Sequence, residues 1–226
     1  MGQDQPRIEA GAFALAEAGT FEDRGSEDRP IVAFDFDGTL TIRDSYTAFL
    51  KWRAGRKAYA AGMIRLIPAA LAYLIHRDRG RIKAAATREY LRGVPRETLE
   101  ADARRFAEQF SRSLLRPDAM ATWKRWRGEH VRLVIVTASP DLVVAPFARG
   151  LGADTLIGTH LAFDAQDRAT GGFDSPNCRG PEKMVRLHAA FGPGFELRAA
   201  YGDTSGDKEM IAAAEIKGYR VFEGVP

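Results

Sequence analysis

The chain has 226 residues, 45% of them hydrophobic and 28% charged, and a formal net charge of +3. That composition buries one sizeable core and a smaller appended one, as a soluble enzyme of moderate size would. A single cysteine, Cys178, excludes an intrachain disulfide and fits a reducing compartment, and no N-terminal stretch has the basic-then-apolar pattern of a secretory signal, so a cytoplasmic location is expected.

Residues 1–29 carry seven acidic and three basic residues around a short Ala-rich stretch, and are read as a mostly disordered lead-in. Ile31 to Phe34 is an apolar run of strand length, suited to a strand buried on both faces of a parallel sheet. It ends in Asp35-Phe36-Asp37-Gly38-Thr39. Residues i and i+2 of extended chain project to one side, so Asp35 and Asp37 can converge on one point, and Gly38 lets the chain turn beside them. Like charges so close need a cation, a shared proton, or both. A hard divalent ion such as magnesium is the expected partner. A calcium loop fails on spacing, because its fifth, sixth and twelfth places hold Thr39, Leu40 and Tyr46.

The next strand-like run, Val131 to Val136, comes about a hundred residues later. Between them Met63, Leu66, Ile67, Ala70, Leu71, Leu74 and Ile75 recur at helical spacing. So do Leu99, Phe106, Phe110 and Leu114 after Pro95. A helical insert ending near Pro117 is therefore predicted. A helix at Asp141 to Arg149, a strand at Thr155 to Gly158 and a hairpin through Leu161 to Phe173 follow. Then come a helix at Pro181 to Phe191, a strand at Leu197 to Tyr201, a helix at Asp207 to Glu215 and a last strand at Tyr219 to Phe222. Alternating strands and helices indicate an α/β fold, a Rossmann-like doubly wound parallel sheet. The domain expectation is a catalytic core of residues 30–44 and 118–226 with a helical cap, residues 45–117, inserted in it.

Charge is uneven. Residues 51–92 hold eleven Lys or Arg against Asp78 and Glu89, a local +9, which leaves −6 for the rest. The basic module points to an anionic partner. Nucleic acid is not expected, since there is no aromatic-interleaved basic motif and the basic residues lie mainly in the cap.

Three more segments join the first at strand ends. Thr137-Ala138-Ser139-Pro140 follows Val136 ahead of a helix N-terminus, Lys183 opens another helix, and Gly202-Asp203-Thr204-Ser205-Gly206-Asp207 follows Tyr201. Each alone reads as a cap, a surface lysine or a turn; together, in this order, they do not.

This set resembles the haloacid dehalogenase superfamily, in its phosphoserine phosphatase-like branch, over Ile31 to Phe222. The resemblance and the side-chain chemistry imply a magnesium-dependent phosphomonoesterase. Asp35 would attack phosphorus and carry an aspartyl phosphate. Asp37 would be general acid and base. Thr137 and Lys183 would hold and neutralise the phosphoryl oxygens. The metal would be bound by the Asp35 carboxylate, the Asp37 main-chain carbonyl and Asp203, with Asp207 orienting a metal-bound water or Lys183. Gly38 and Thr39 belong with the substrate phosphate, and Ser139 is a reserve contact to it.

For substrate, Gly38 and Thr137-Ala138-Ser139 depart from the phosphoserine phosphatases. Thr137 to Pro140 and Cys178 to Lys183 look more like the phosphatidylglycerophosphatase C type. A phosphorylated lipid head group is the expected substrate, with Arg88 and Arg92 as candidate head-group contacts. The alternatives are a small soluble ester such as phosphoserine or histidinol phosphate, and a non-catalytic membrane-associated binding module. The apolar run Ala58 to Ile75 is interrupted by Arg65 and Pro68, which argues against a membrane span. It is read as buried within the cap. The alternative is a helix lying in the membrane interface, with the protein peripherally attached.

Overall fold

The computed structural model describes residues 29–226, apart from 77 and 78. The expected lead-in at residues 1–29 lies outside this range except for its last residue. A five-stranded, all-parallel sheet has the order β3-β2-β1-β6-β7, from Thr155–Thr159 (β3), Arg132–Pro140 (β2), Ile31–Phe34 (β1), Leu197–Gly202 (β6) and Ile216–Tyr219 (β7). All four residues of β1 are buried. Its alternate side chains feed opposite cores: Val32 and Phe34 join one apolar cluster, Ile31 and Ala33 the other. Leu133 and Ile135 of β2 part in the same way from Val134 and Val136. An unbroken apolar run, without polar alternation, is what a central strand covered on both faces requires.

The first cluster is closed by α5 (Pro117–Arg127), through Trp123 and Trp126, and by α6 (Asp141–Leu151), through Val143, Val144, Phe147 and Leu151. The second is closed by Leu187 of α7 (Pro181–Phe191) and by Met210 and Ile211 of α8 (Lys208–Ala213). Between β1 and β2 stand the inserted helices α1 (Ser45–Arg65, bent at Gly55), α2 (Ile67–His76), α3 (Arg79–Leu91) and α4 (Arg96–Leu114). The amphipathic α4 buries Leu99, Ala103, Phe106 and Leu114. The chain leaves and re-enters the core side by side: Thr41 and Leu115 form an antiparallel bridge, flanked by bonds from Ile42 N to Leu114 O (2.8 Å) and Arg116 N to Leu40 O (2.9 Å).

The antiparallel hairpin β4 (Leu161–Phe163) and β5 (Ala169–Phe173) ties this insert to the core from the other side. Gly93 N donates to Ala169 O at 2.7 Å, and Ala169 N to Val94 O at 2.8 Å.

Two expectations need correction. The last strand is Ile216–Tyr219 rather than Tyr219 to Phe222. Phe222 instead turns in against Phe34 and Tyr201, with ring centroids 6.4 and 5.4 Å apart, so its apolar signal reports core packing and not pairing. The run at Ala58 to Ile75 is helical but not buried: Met63, Ile64, Ile67 and Leu71 are exposed. Among the described residues α2 packs mainly on α3 and α1, and these four side chains form an exposed outward stripe. The side chains of Leu74 and Ile75 lie outside the described residues.

Candidate active site

The carboxyl ends of β1, β2 and β6 open into one cleft of about 510 Å³, roofed by α1 and α3. Clefts in open α/β sheets form there, where neighbouring crossovers diverge. Asp35, Asp37, Gly38, Thr137, Ser139, Lys183, Asp203 and Asp207 all line it.

Lys183 is the hub. Only 1% exposed, it directs its three donors to Asp35 Oδ1 (2.6 Å), Asp207 Oδ1 (2.7 Å) and the Val136 carbonyl (2.6 Å). Burial opposes its charge, but Asp35 and Asp207 outweigh burial and raise its pKa, so it stays an ammonium. Asp207 is opposed by burial as well. The charge and hydrogen bond of Lys183 nevertheless lower its pKa, helped by donors at Thr204. Its second oxygen accepts from Asp203 N (3.2 Å), Thr204 N (2.9 Å) and Thr204 Oγ1 (3.0 Å).

Asp35 has no such surplus of donors. Burial raises its pKa to about 7 in spite of Lys183, with Asp207 adding to the rise. Asp37 is raised to about 6, first by burial and then by Asp44, while Ser139 and Ser45 hold it down. Its carboxylate accepts from Ser45 N at 2.6 Å and from the Ser139 hydroxyl. The side chain of Thr137, fully buried, accepts from Ser139 N at 3.0 Å within the carboxyl end of β2.

Gly38 sits at φ +84°, and a Cβ there would fall 2.4 Å from Asp203 Oδ2. Any side chain at this position would be strained and would collide with a carboxylate. Thr39 Oγ1 reaches toward both Asp35 (3.5 Å) and Asp203 (3.4 Å). Asp35, Asp203 and Asp207 each bring one carboxylate oxygen within 4.8 Å of the others. Hard oxygen donors around a net negative centre suit a divalent cation such as magnesium. Because both Asp207 oxygens are occupied by donors, Asp35 and Asp203 are the side chains left to ligate one.

Arg88 and Arg92 stand elsewhere: both are exposed, and neither lines the cleft. The residue of α3 that does is Lys83, and five residues at about 100° each carry Arg88 about 140° round the helix. The backbone of Arg88 lies instead against Gly171 of the hairpin, where an added Cβ would come 2.6 Å from Arg88 Cα. Arg92 lies just past the end of α3.

Sequence reasoning missed Lys83. Its ammonium donates to the Ala138 carbonyl and to Asn177 Oδ1 (3.2 Å), and lies 4.8 Å from the centre of the Phe173 ring. Burial lowers its pKa to about 8. Among eleven cations in residues 51–92, only its place on the α3 face shared with Ala86 and Thr87 distinguishes it. Arg179 was missed too; it lines the cleft and donates to Thr204 Oγ1 (3.1 Å) and Ser205 Oγ (3.0 Å). Cys178 is buried and its thiol is pushed up to about 11 by that burial, a packing residue rather than a nucleophile.

Known proteins resemble this chain in sequence or in fold. Protein CicA from Caulobacter vibrioides is 59% identical over 196 residues, which is 87% of this chain and 88% of that protein. A protein of unknown function from Bordetella pertussis Tohama I superposes with a TM-score of 0.68 at 23% identity, covering 82% of this chain and 87% of its own. A substrate-bound phosphoserine phosphatase gives 0.58 at 17%, covering 85% and 86%. At those identities the likeness extends to the fold. The haloacid dehalogenase-like hydrolase family matches residues 32–212, most of the chain, so with strands, cleft and acidic cluster in place the protein belongs to that family.

Proposed function

We propose that the protein is a magnesium-dependent phosphomonoester hydrolase working through an aspartyl phosphate on Asp35. The observation that carries this reading is the contact of buried Lys183 with Asp35 and Asp207 at the floor of the cleft. A nucleophile needs a fixed cation beside it when a phosphoryl group arrives with its charge.

In the first step an Asp35 carboxylate oxygen attacks phosphorus while the bond from phosphorus to the ester oxygen breaks. Asp37, protonated, gives its proton to that oxygen, and the alcohol leaves. In the second step water attacks the phosphorus of the acyl phosphate. Asp37, now ionised, takes the water proton, and the phosphorus–oxygen bond to Asp35 breaks to return the carboxylate and inorganic phosphate. A pKa of about 6 suits Asp37 to both halves of this exchange. Ser139 and Ser45 hold Asp37 in place through its two oxygens. Thr137 would contact a phosphoryl oxygen, with Gly38 and Thr39 beside the same group. The Asp35 and Asp203 carboxylates and the Asp37 main-chain carbonyl would hold the magnesium, which supplies positive charge that favours ionised Asp35 and neutralises the phosphate. Asp207 would keep Lys183 charged and oriented.

Helices α1–α4, residues 45–117, act as the cap over a core of residues 30–44 and 118–226. The substrate is a lipid phosphomonoester such as phosphatidylglycerophosphate, a reading supported by the basic, apolar helices next to the cleft. A small soluble ester such as phosphoserine is the second reading, favoured by the cleft volume of about 510 Å³. Phosphate release from a micellar lipid phosphate, set beside a panel of soluble esters with magnesium or chelator, tests both. Release that persists in Asp35→Asn would refute the mechanism, and release from soluble esters alone would refute the lipid substrate.

A further inference from the structure

Between Met63 and Leu71 the surface carries more bulky apolar area than a solvated helix needs. Met63, Ile64, Ile67 and Leu71 are 48%, 67%, 51% and 57% exposed. Leu66 joins α1 to α2 with helical backbone, donating to Gly62 O (3.0 Å) and accepting from Ala70 N (2.9 Å), so these side chains form one stripe at helical spacing. Scattered apolar residues at a surface are ordinary, whereas a contiguous group of large ones marks an interaction site.

Charge identifies what the stripe meets. It lies within the segment of eleven basic and two acidic residues. Lys51, Arg56 and Lys57 are exposed and make no ion pair among the described residues. A second copy of this chain would set +9 against +9. A nucleic acid would answer the cations but not Ile64, Ile67 and Leu71. An anionic bilayer answers both, taking apolar side chains below its head groups and cations at their level. No described helix is long and apolar enough to cross a membrane, so this one would lie along it.

We propose that the α1–α2 stripe, with exposed cations of the same helical segment, docks the protein on an anionic lipid surface. The neighbouring helix α3 begins at Arg79, close after His76 ends α2, and supplies Ile82 and Lys83 to the cleft wall. Delivery of a lipid phosphate to that cleft rests on the hydrolase reading above; attachment itself does not.

The full chain is sedimented with vesicles of phosphatidylcholine containing about a third phosphatidylglycerol, and with phosphatidylcholine alone. The mixed vesicles are expected to pellet it at least about 10-fold better, with the excess lost in high salt. Ile64→Glu/Ile67→Glu/Leu71→Glu should weaken pelleting by about 10-fold or more while keeping the parent's melting temperature and its turnover of p-nitrophenyl phosphate. Asp35→Asn, which tests hydrolysis, should pellet like the parent, so the two readings fail separately. The docking proposal is overturned if the parent does not pellet, if the triple variant pellets equally, or if the parent alone forms a dimer that the triple variant loses.

Discussion

Lys183 Nζ lies 2.6 Å from Asp35 Oδ1, a contact made across 148 residues of sequence. The ammonium is enclosed, and its other acceptors among the described residues are Asp207 and one carbonyl. Removing it strands two buried carboxylates, and breaking a buried pair costs about 3–5 kcal/mol. Lys183→Met should therefore abolish turnover and lower the melting temperature by several degrees. Asp35→Asn should abolish turnover with a smaller loss, since it removes a charge from a crowded site. Equal melting temperatures for Lys183→Met and the parent would count against Lys183 as the hub.

Gly38→Ala puts a methyl group 2.4 Å from Asp203 Oδ2 at a backbone angle hostile to side chains. We expect at least about a 10-fold fall in activity, together with weaker magnesium activation, because Asp203 must move. Titration of activity with magnesium checks this; an unchanged activation midpoint would mean that Asp203 is not a ligand.

Magnesium itself should stabilise the fold. A ligand at about 100 times its dissociation constant adds about 2.7 kcal/mol, which for a chain of this size is a rise of roughly 5–10 °C. Melting curves in chelator and in magnesium measure the rise, and Asp203→Asn should lose most of it.

Lys83 should make stability and substrate affinity depend on pH above neutrality. Its pKa is lowered from 10.5 to about 8, so the buried ammonium is a cost below pH 8, relieved as the pH climbs from 8 toward 10.5. The melting temperature of the parent, relative to Lys83→Met, should accordingly improve between pH 7 and pH 10. Over the same window KM for an anionic ester should rise in the parent, which loses a cation from its cleft wall, and stay flat in the variant. Parallel curves in both assays would remove Lys83 from the substrate's surroundings.

Much of the fold was legible because its signals are local. An unbroken apolar run names a central strand, and Pro181 to Phe191 and Leu197 to Tyr201 lie where the alternation of strands and helices puts them. The strand-end acids were legible for a related reason: carboxylates directly after buried strands have no packing purpose. What stayed hidden depends on partners far off in sequence. The helical spacing of Met63 to Leu71 reads the same whether or not another layer covers it, and among the described residues none does. Arg88, Arg92 and Lys83 are alike in composition, and only the rotation of α3 over β5 turns one of them inward. Phe222 looks like a strand residue because aromatic side chains serve strands and core plugs equally.

The position of β1 in the sheet has a price in time. It precedes every other described strand in the chain, yet it lies between β2 and β6, and β6 begins at Leu197. At ordinary synthesis speeds its second neighbour follows on the order of 10–30 s later. Throughout that interval Ile31 to Phe34 has an unpaired edge, and pairing it requires closure of a long loop, a step expected to be slow beside helix formation.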